Sequence, residues 1–179
     1  MSVVVDASVA IPCVHPEEAS TDVRRWLARM TTAGSNLVVP SHFWLEIVNV
    51  LARRHGYRGA ASLEAIAELR ELGFETVDLD EAALVLVIET VERHGLTAYD
   101  AQYLALSRQI DAPLVTLDRR LAVAASAMPG PGAIDPLGPR GVTEPRTGYG
   151  DTVAPTWPDY AGAASLLAGI RSRAVRAAP

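Results

Sequence analysis

With 179 residues, 49% of them hydrophobic and 21% charged, the chain has the length and composition of one folded domain with an appendage. Its net charge of −5 argues against a general nucleic-acid-binding surface, although a bound divalent cation would reverse the sign locally. The lone cysteine, Cys13, excludes an intrachain disulfide or cysteine zinc site and reads as a small buried hydrophobe. The four histidines form no H-x-x-x-H pair, and no apolar run approaches the ~20 residues of a membrane span. The start, Met1-Ser2-Val3, leads straight into an apolar run with no basic segment, so no signal peptide and a cytosolic location are expected.

In chain order, Val3-Val4-Val5 reads as a short buried parallel strand ending at Asp6. A short helix fits 7–13. Pro16 opens a helix over about 17–32 with Trp26, Leu27 and Met30 inward. Leu37-Val38-Val39 is a strand stopped by Pro40, and Ser41 is expected to cap a helix reaching about His55, ahead of Gly56. A helix over 60–72 ends at Gly73, and Phe74–Leu79 alternates as a strand. Asp80 and Gly95 bracket a helix over 81–94, and Thr97 caps another over about 98–110. Pro113–Leu117 is a strand and 119–127 a last helix. Short strands alternating with helices predict an α/β fold with a mainly parallel sheet of about five strands flanked by helices. Residues 128–158 hold seven of the twelve prolines and read as an irregular linker with one edge strand near Ala133-Ile134. Tyr160–Ala178 returns to helix formers with an apolar and an arginine-rich side. The division expected is a domain over 1–135 and a Pro/Gly-rich linker with an amphipathic helical extension over 136–179.

Open parallel sheets bind ligands beyond the carboxyl ends of their strands. Asp6 and Asp118 sit at two such ends, and Asp100 lies in the first turn of its helix. Glu46 interrupts the apolar Phe43-Trp44-Leu45 and Ile47-Val48, where an isolated buried carboxylate would be costly. It shares a helix face with Asn49 and Arg53. Converging carboxylates suit hard divalent cations such as Mg²⁺ or Mn²⁺, which activate water and neutralise phosphate charge. Each acid also has a structural alternative. Asp6 and Asp118 fit helix N-caps, Asp100 fits a capping box with Thr97, and Glu46 can pair with Arg53 or face water.

Four segments together resemble the PIN-domain family, specifically the VapC-type toxins of bacterial and archaeal toxin–antitoxin pairs. They are VVVDASVAI, PSHFWLEIVNVLARR with an E-x-x-N-x-L pattern, LTAYDAQYLALSRQ and PLVTLDRRL, in the family's order over about residues 3–121. The resemblance implies a three-layer fold and puts Asp6, Glu46, Asp100 and Asp118 in the metal-binding carboxylate positions. Ser8 and Thr116 match its small hydroxyl residues, for which local capping is the alternative. Asn49 matches its asparagine, or is a packing residue. The resemblance further implies a Mg²⁺- or Mn²⁺-dependent endoribonuclease that cuts structured RNA (tRNA or an rRNA loop), a homodimer, and a cognate antitoxin. The chain continues for roughly forty residues past the usual end of such domains, which bears on the partner surface. Arg53, Arg54 and Arg58, with Arg119 and Arg120, offer forks for RNA phosphates or form a solvated face. For Trp44 and Tyr99, core packing is expected over base stacking.

Rival folds with acids at a sheet edge fail on specific residues. Asp6 is not followed by the Asp-x-Asp of a haloacid-dehalogenase-like phosphatase. A receiver domain or P-loop enzyme needs a lysine, and all sixteen basic residues are arginine. No Gly-x-Gly-x-x-Gly follows the first strand. The remaining alternative is a catalytically inactive PIN-like module that binds RNA or protein.

Overall fold

The protein is described by a computed structural model covering residues 1–16 and 20–138. Five parallel strands form one sheet: β1 (Ser2–Val5), β2 (Asn36–Pro40), β3 (Glu75–Val77), β4 (Leu114–Val115) and β5 (Ala133–Ile134). Their order is β3-β2-β1-β4-β5, which puts β1 at the centre. Val3 pairs with Leu37 on one side of β1, and Val5 with Val115 on the other. Val3, Val4 and Val5 are fully buried, as a strand covered on both faces requires.

Seven helices connect and cover the strands, giving the expected layered α/β architecture: α1 (Ala7–Val14), α2 (Ser20–Thr32), α3 (Phe43–Arg53), α4 (Ala60–Glu71), α5 (Glu81–His94), α6 (Ala98–Gln109) and α7 (Arg119–Ala127). Helix α1 packs on α2, α3 and α4; α6 packs on α5, α7 and the three strands β1, β2 and β4. Residues 101–107 of α6 are all buried, so this helix is a central core element rather than an amphipathic cover. Among the described residues, no helix is long and apolar enough to cross a membrane.

Most local signals work as read. Asp80 accepts from the Ala83 amide at 2.8 Å, and Gly95 closes α5 in the left-handed region. Ser41 departs from expectation. Helix α3 starts one residue later, with His42 at the cap position and no side-chain cap, while the Ser41 hydroxyl donates to Asp78. Strand pairing between β2 and β3 brings that carboxylate close and orients the hydroxyl toward it. Strands β3 and β4 are shorter than the expected spans 74–79 and 113–117. After β3, the backbone at Asp78 and Asp80 turns to the Gln109 side chain of α6. After β4, the amides of Leu117 and Asp118 turn to the hydroxyls of Ser8 and Thr116.

The edge strand β5 is held by Arg108. Its guanidinium donates to the carbonyls of Ala125 (2.9 Å), Met128 (3.3 Å) and Pro131. Burial lowers its pKa from the usual arginine value. The clamp needs glycine at 130, where φ is +113° and a Cβ would lie 2.7 Å from Arg108 Cδ. Gly130→Ala is expected to lower stability by about 2–3 kcal/mol, from backbone strain plus displacement of Arg108. Urea unfolding checks this, and an unchanged midpoint would show the clamp to be slack. Of the expected linker and C-terminal helix over 136–179, only 136–138 fall within the described residues.

Candidate active site

All four acids stand at the start of helices. Asp6 occupies the N-cap position of α1 and Asp118 that of α7, while Glu46 and Asp100 lie in the first turns of α3 and α6. Helix N-termini carry partial positive charge, which eases the gathering of carboxylates. Each acid nevertheless keeps different company.

Asp6 is 4% exposed and does not cap its helix with its side chain. Its Oδ2 instead accepts from the hydroxyls of Thr116, at 2.8 Å, and Ser8. Those two hydroxyls are themselves fixed by backbone amides. Ser8 Oγ accepts from Leu117 N at 3.0 Å, and Thr116 Oγ1 from Asp118 N at 2.9 Å. The result is a small buried network that ties the end of β1 to the end of β4. It exists because the two strands are adjacent, with Asp6 N donating to Val115 O at 3.0 Å. Ser8 and Thr116 thus combine the expected local turn bonds, to Asp6 and the Asp118 amide, with long-range ones to the Leu117 amide and Asp6.

Asp118 does cap its helix, accepting from the amides of Arg120 and Leu121 at 2.7 and 3.1 Å. Asp100 shares with Thr97 a reciprocal pair, in which Thr97 Oγ1 accepts from the Asp100 amide and donates to Asp100 Oδ2 at 2.8 Å. Its carboxyl pKa is raised above the usual value, first by burial and further by the neighbouring Asp118 charge. The Thr97 hydrogen bonds and Arg120 act in the opposite direction. Asp100 and Asp118 are thus close enough to feel each other's charge.

Glu46 does not point into bulk water. Its Oε2 accepts from the phenol of Tyr103 on α6 at 2.7 Å. Tyr103 is fully buried, and its pKa lies well above the ordinary tyrosine value, through burial first and then the charges of Glu46 and Asp6. Three groupings result: Glu46 takes the Tyr103 phenol, Asp6 takes the Ser8 and Thr116 hydroxyls beside the Asp118 amide, and the Asp118 charge bears on Asp100. Among the described residues, no three His, Cys, Asp or Glu side chains are gathered so as to hold a metal ion. Like charges repel, and each carboxylate here takes a hydrogen-bond donor instead. The donor set is nonetheless all carboxylate oxygen, the chemistry a hard cation selects, and the charge shared by Asp100 and Asp118 is what such a cation would relieve.

The remaining candidates divide. Asn49 is half-buried one turn beyond Glu46 on α3, and Arg53 and Arg54 are exposed at its end. Arg119 is exposed; Arg120 is exposed too, but donates to Gly95 O at 2.7 Å, tying the start of α7 to the turn before α6. Arg58 is likewise committed to the carbonyls of Ala52 and Tyr57. Trp44 packs against Phe43 and Phe74 with Arg70 over its ring, as core packing predicts. Tyr99 does not pack in the core: it is 58% exposed, because the buried stretch of α6 begins only at Ala101. Sequence reading missed Tyr103, whose only signal is a polar atom in an otherwise apolar stretch. Cys13 is buried, with its pKa pushed up to about 11 by desolvation, which leaves almost no thiolate for nucleophilic chemistry at neutral pH.

Comparison with known proteins matches residues 3–127 to the PIN domain. Ribonuclease VapC3 of Pyrobaculum aerophilum is 34% identical over 127 residues, covering 68% of this chain and 93% of that protein. VapC20 of Mycobacterium tuberculosis, described as a toxin that cleaves the sarcin–ricin loop, has a similar fold: TM-score 0.57 at 19% identity, over 68% of this chain and 94% of its own. VapBC2 of Rickettsia felis, solved bound to a DNA fragment from its promoter, superposes with a TM-score of 0.56 at 12% identity, over 75% and 98% of the two chains. The matched region spans every strand and acid segment from β1 to α7, and the chain belongs to the PIN-domain family.

Proposed function

We propose that this protein is a Mg²⁺- or Mn²⁺-dependent endoribonuclease, the toxin of a type II toxin–antitoxin pair, acting in the cytosol on structured RNA such as tRNA or an rRNA loop. The carrying observation is the placement of the four acids at strand ends and helix starts, with Asp6 buried among hydroxyls between β1 and β4 and the Asp118 charge raising the Asp100 pKa. Similarity to a ribonuclease, VapC3, supports the reaction class. In this reading Asp6, Glu46, Asp100 and Asp118 would hold the cation. The cation would supply Lewis acidity toward the scissile phosphate and an attacking water.

The chain's own residues do the rest. Ser8 and Thr116 orient the Asp6 carboxylate, and the helix N-termini lower the cost of clustered negative charge. The exposed Arg53, Arg54 and Arg119 offer forks to RNA phosphates on either side. Arg120 contributes chiefly by holding the Gly95 turn in place. A cognate antitoxin and a homodimer complete the proposal. Exposed large apolar side chains such as Leu45, Leu84 and Ile88 support contact with other chains. The nuclease domain covers residues 1–135, and 136–179 form an extension.

One observation favours a second reading, a PIN-like module that binds RNA or protein without cutting it: no three acids stand ready as a chelate among the described residues. Incubating the purified protein with total tRNA and ribosomal RNA separates the two. The nuclease produces fragments with 5′-phosphate and 3′-hydroxyl ends in Mg²⁺ or Mn²⁺ and none in EDTA. Intact RNA under every metal condition would favour the binding module.

A further inference from the structure

The buried phenol bonded to Glu46 has no part in the family pattern read from the sequence. Tyr103 is fully buried on α6, and its hydroxyl reaches 57 residues back to Glu46 Oε2 on α3 at 2.7 Å. This bond joins the first turn of α3 to the middle of α6. Glu46 has good reason to need a holder. It is half-buried, with a flexible side chain on the first turn of α3. A glutamate has three rotatable side-chain bonds, and fixing them costs conformational entropy. A phenol locked in the core by its ring can fix one carboxylate oxygen without moving.

We propose that Tyr103 is a positioning residue that sets the cation affinity of the site by holding Glu46 inward. The proposal rests on the reading above that Glu46 is a ligand. It assigns to Tyr103 a donor role only, acting through Glu46 and never touching RNA. Hydrogen bonds to metal ligands of this kind typically alter affinity about 10- to 100-fold when removed.

The test uses the full-length protein and Mn²⁺ as probe. Mn²⁺ affinity is measured by calorimetric titration for the wild type, Tyr103→Phe and Glu46→Gln, alongside each protein's metal-free melting temperature. Phenylalanine keeps the ring that fills the core and deletes only the hydroxyl. The expected result is a loss of Mn²⁺ affinity of about 10- to 100-fold in Tyr103→Phe, with little additional loss when Glu46→Gln is combined with it. A lower melting temperature with unchanged Mn²⁺ affinity would make Tyr103 a core residue and overturn the proposal, while a loss in Glu46→Gln would leave the metal site standing. A wild type that binds no Mn²⁺ overturns both. Should Tyr103→Phe fail to fold, NMR of ¹³C-labelled tyrosine in the wild type gives the same decision. The Tyr103 Cζ resonance is expected to shift on Mg²⁺ addition and in Glu46→Gln, and a resonance that stays fixed in both overturns the proposal.

Discussion

Asp6→Asn is expected to abolish RNA cleavage, by about 10³-fold or more, while leaving the fold intact. The magnitude follows from removing a ligand charge from a site whose cation contributes several kcal/mol to the transition state, at about 1.4 kcal/mol per tenfold. Stability behaves differently because of what Asp6 does for its neighbours. Its Oδ2 accepts from both Ser8 and Thr116, and asparagine retains an oxygen able to accept from them. The unfolding free energy of Asp6→Asn should stay within about 1 kcal/mol of wild type. Asp6→Ala leaves the two buried hydroxyls without that acceptor and should cost about 1–3 kcal/mol more. Single-turnover cleavage and urea unfolding, measured on both variants, check the split. Cleavage that survives Asp6→Asn would remove Asp6 from the reaction.

Saturating Mg²⁺ or Mn²⁺ is expected to raise the melting temperature by about 5–10 °C. A ligand that binds only the folded state at a hundred times its Kd adds about 2.7 kcal/mol, and a chain of this size gains about 2–4 °C per kcal/mol. The effect should be large here because the fold brings like charges together. Burial and the Asp118 charge already disfavour ionised Asp100, and a cation removes that penalty. Glu46→Gln should abolish most of the shift, and EDTA should reverse it in the wild type. Scanning calorimetry with and without metal reads both. An identical shift in wild type and Glu46→Gln would mean that the cation binds elsewhere.

Much of the fold was legible because its signals are local. Asp80, Thr97 and Gly95 act within one helical turn of themselves, and the valines of β1 announce a strand buried on both faces. Ser41 was misread for the complementary reason. Its hydroxyl is turned toward Asp78, 37 residues away, a partner that no local pattern announces. Tyr99, an aromatic beside an acid for which core packing is the expectation, stands instead on the exposed first turn of α6, ahead of the buried stretch. The extension over 136–179, singled out by its prolines and arginines, falls almost wholly outside the described residues.

The candidate site divides along the same line. Which residues carry carboxylates, and that strand ends and helix starts hold them, is written in the chain, since strand runs and first-turn positions are short-range patterns. Sequence alone also excluded an intrachain disulfide, a cysteine zinc site and lysine-dependent P-loop chemistry by composition. Only the tertiary structure decided how the acids are dressed. Asp6 declines to cap its own helix because β4, more than a hundred residues on, delivers Thr116 to it, and Glu46 is turned toward a phenol on a helix 57 residues away. Hydrogen bonds of that span depend on strand order and helix packing, which arise from burying the whole core together and leave no trace in any local window.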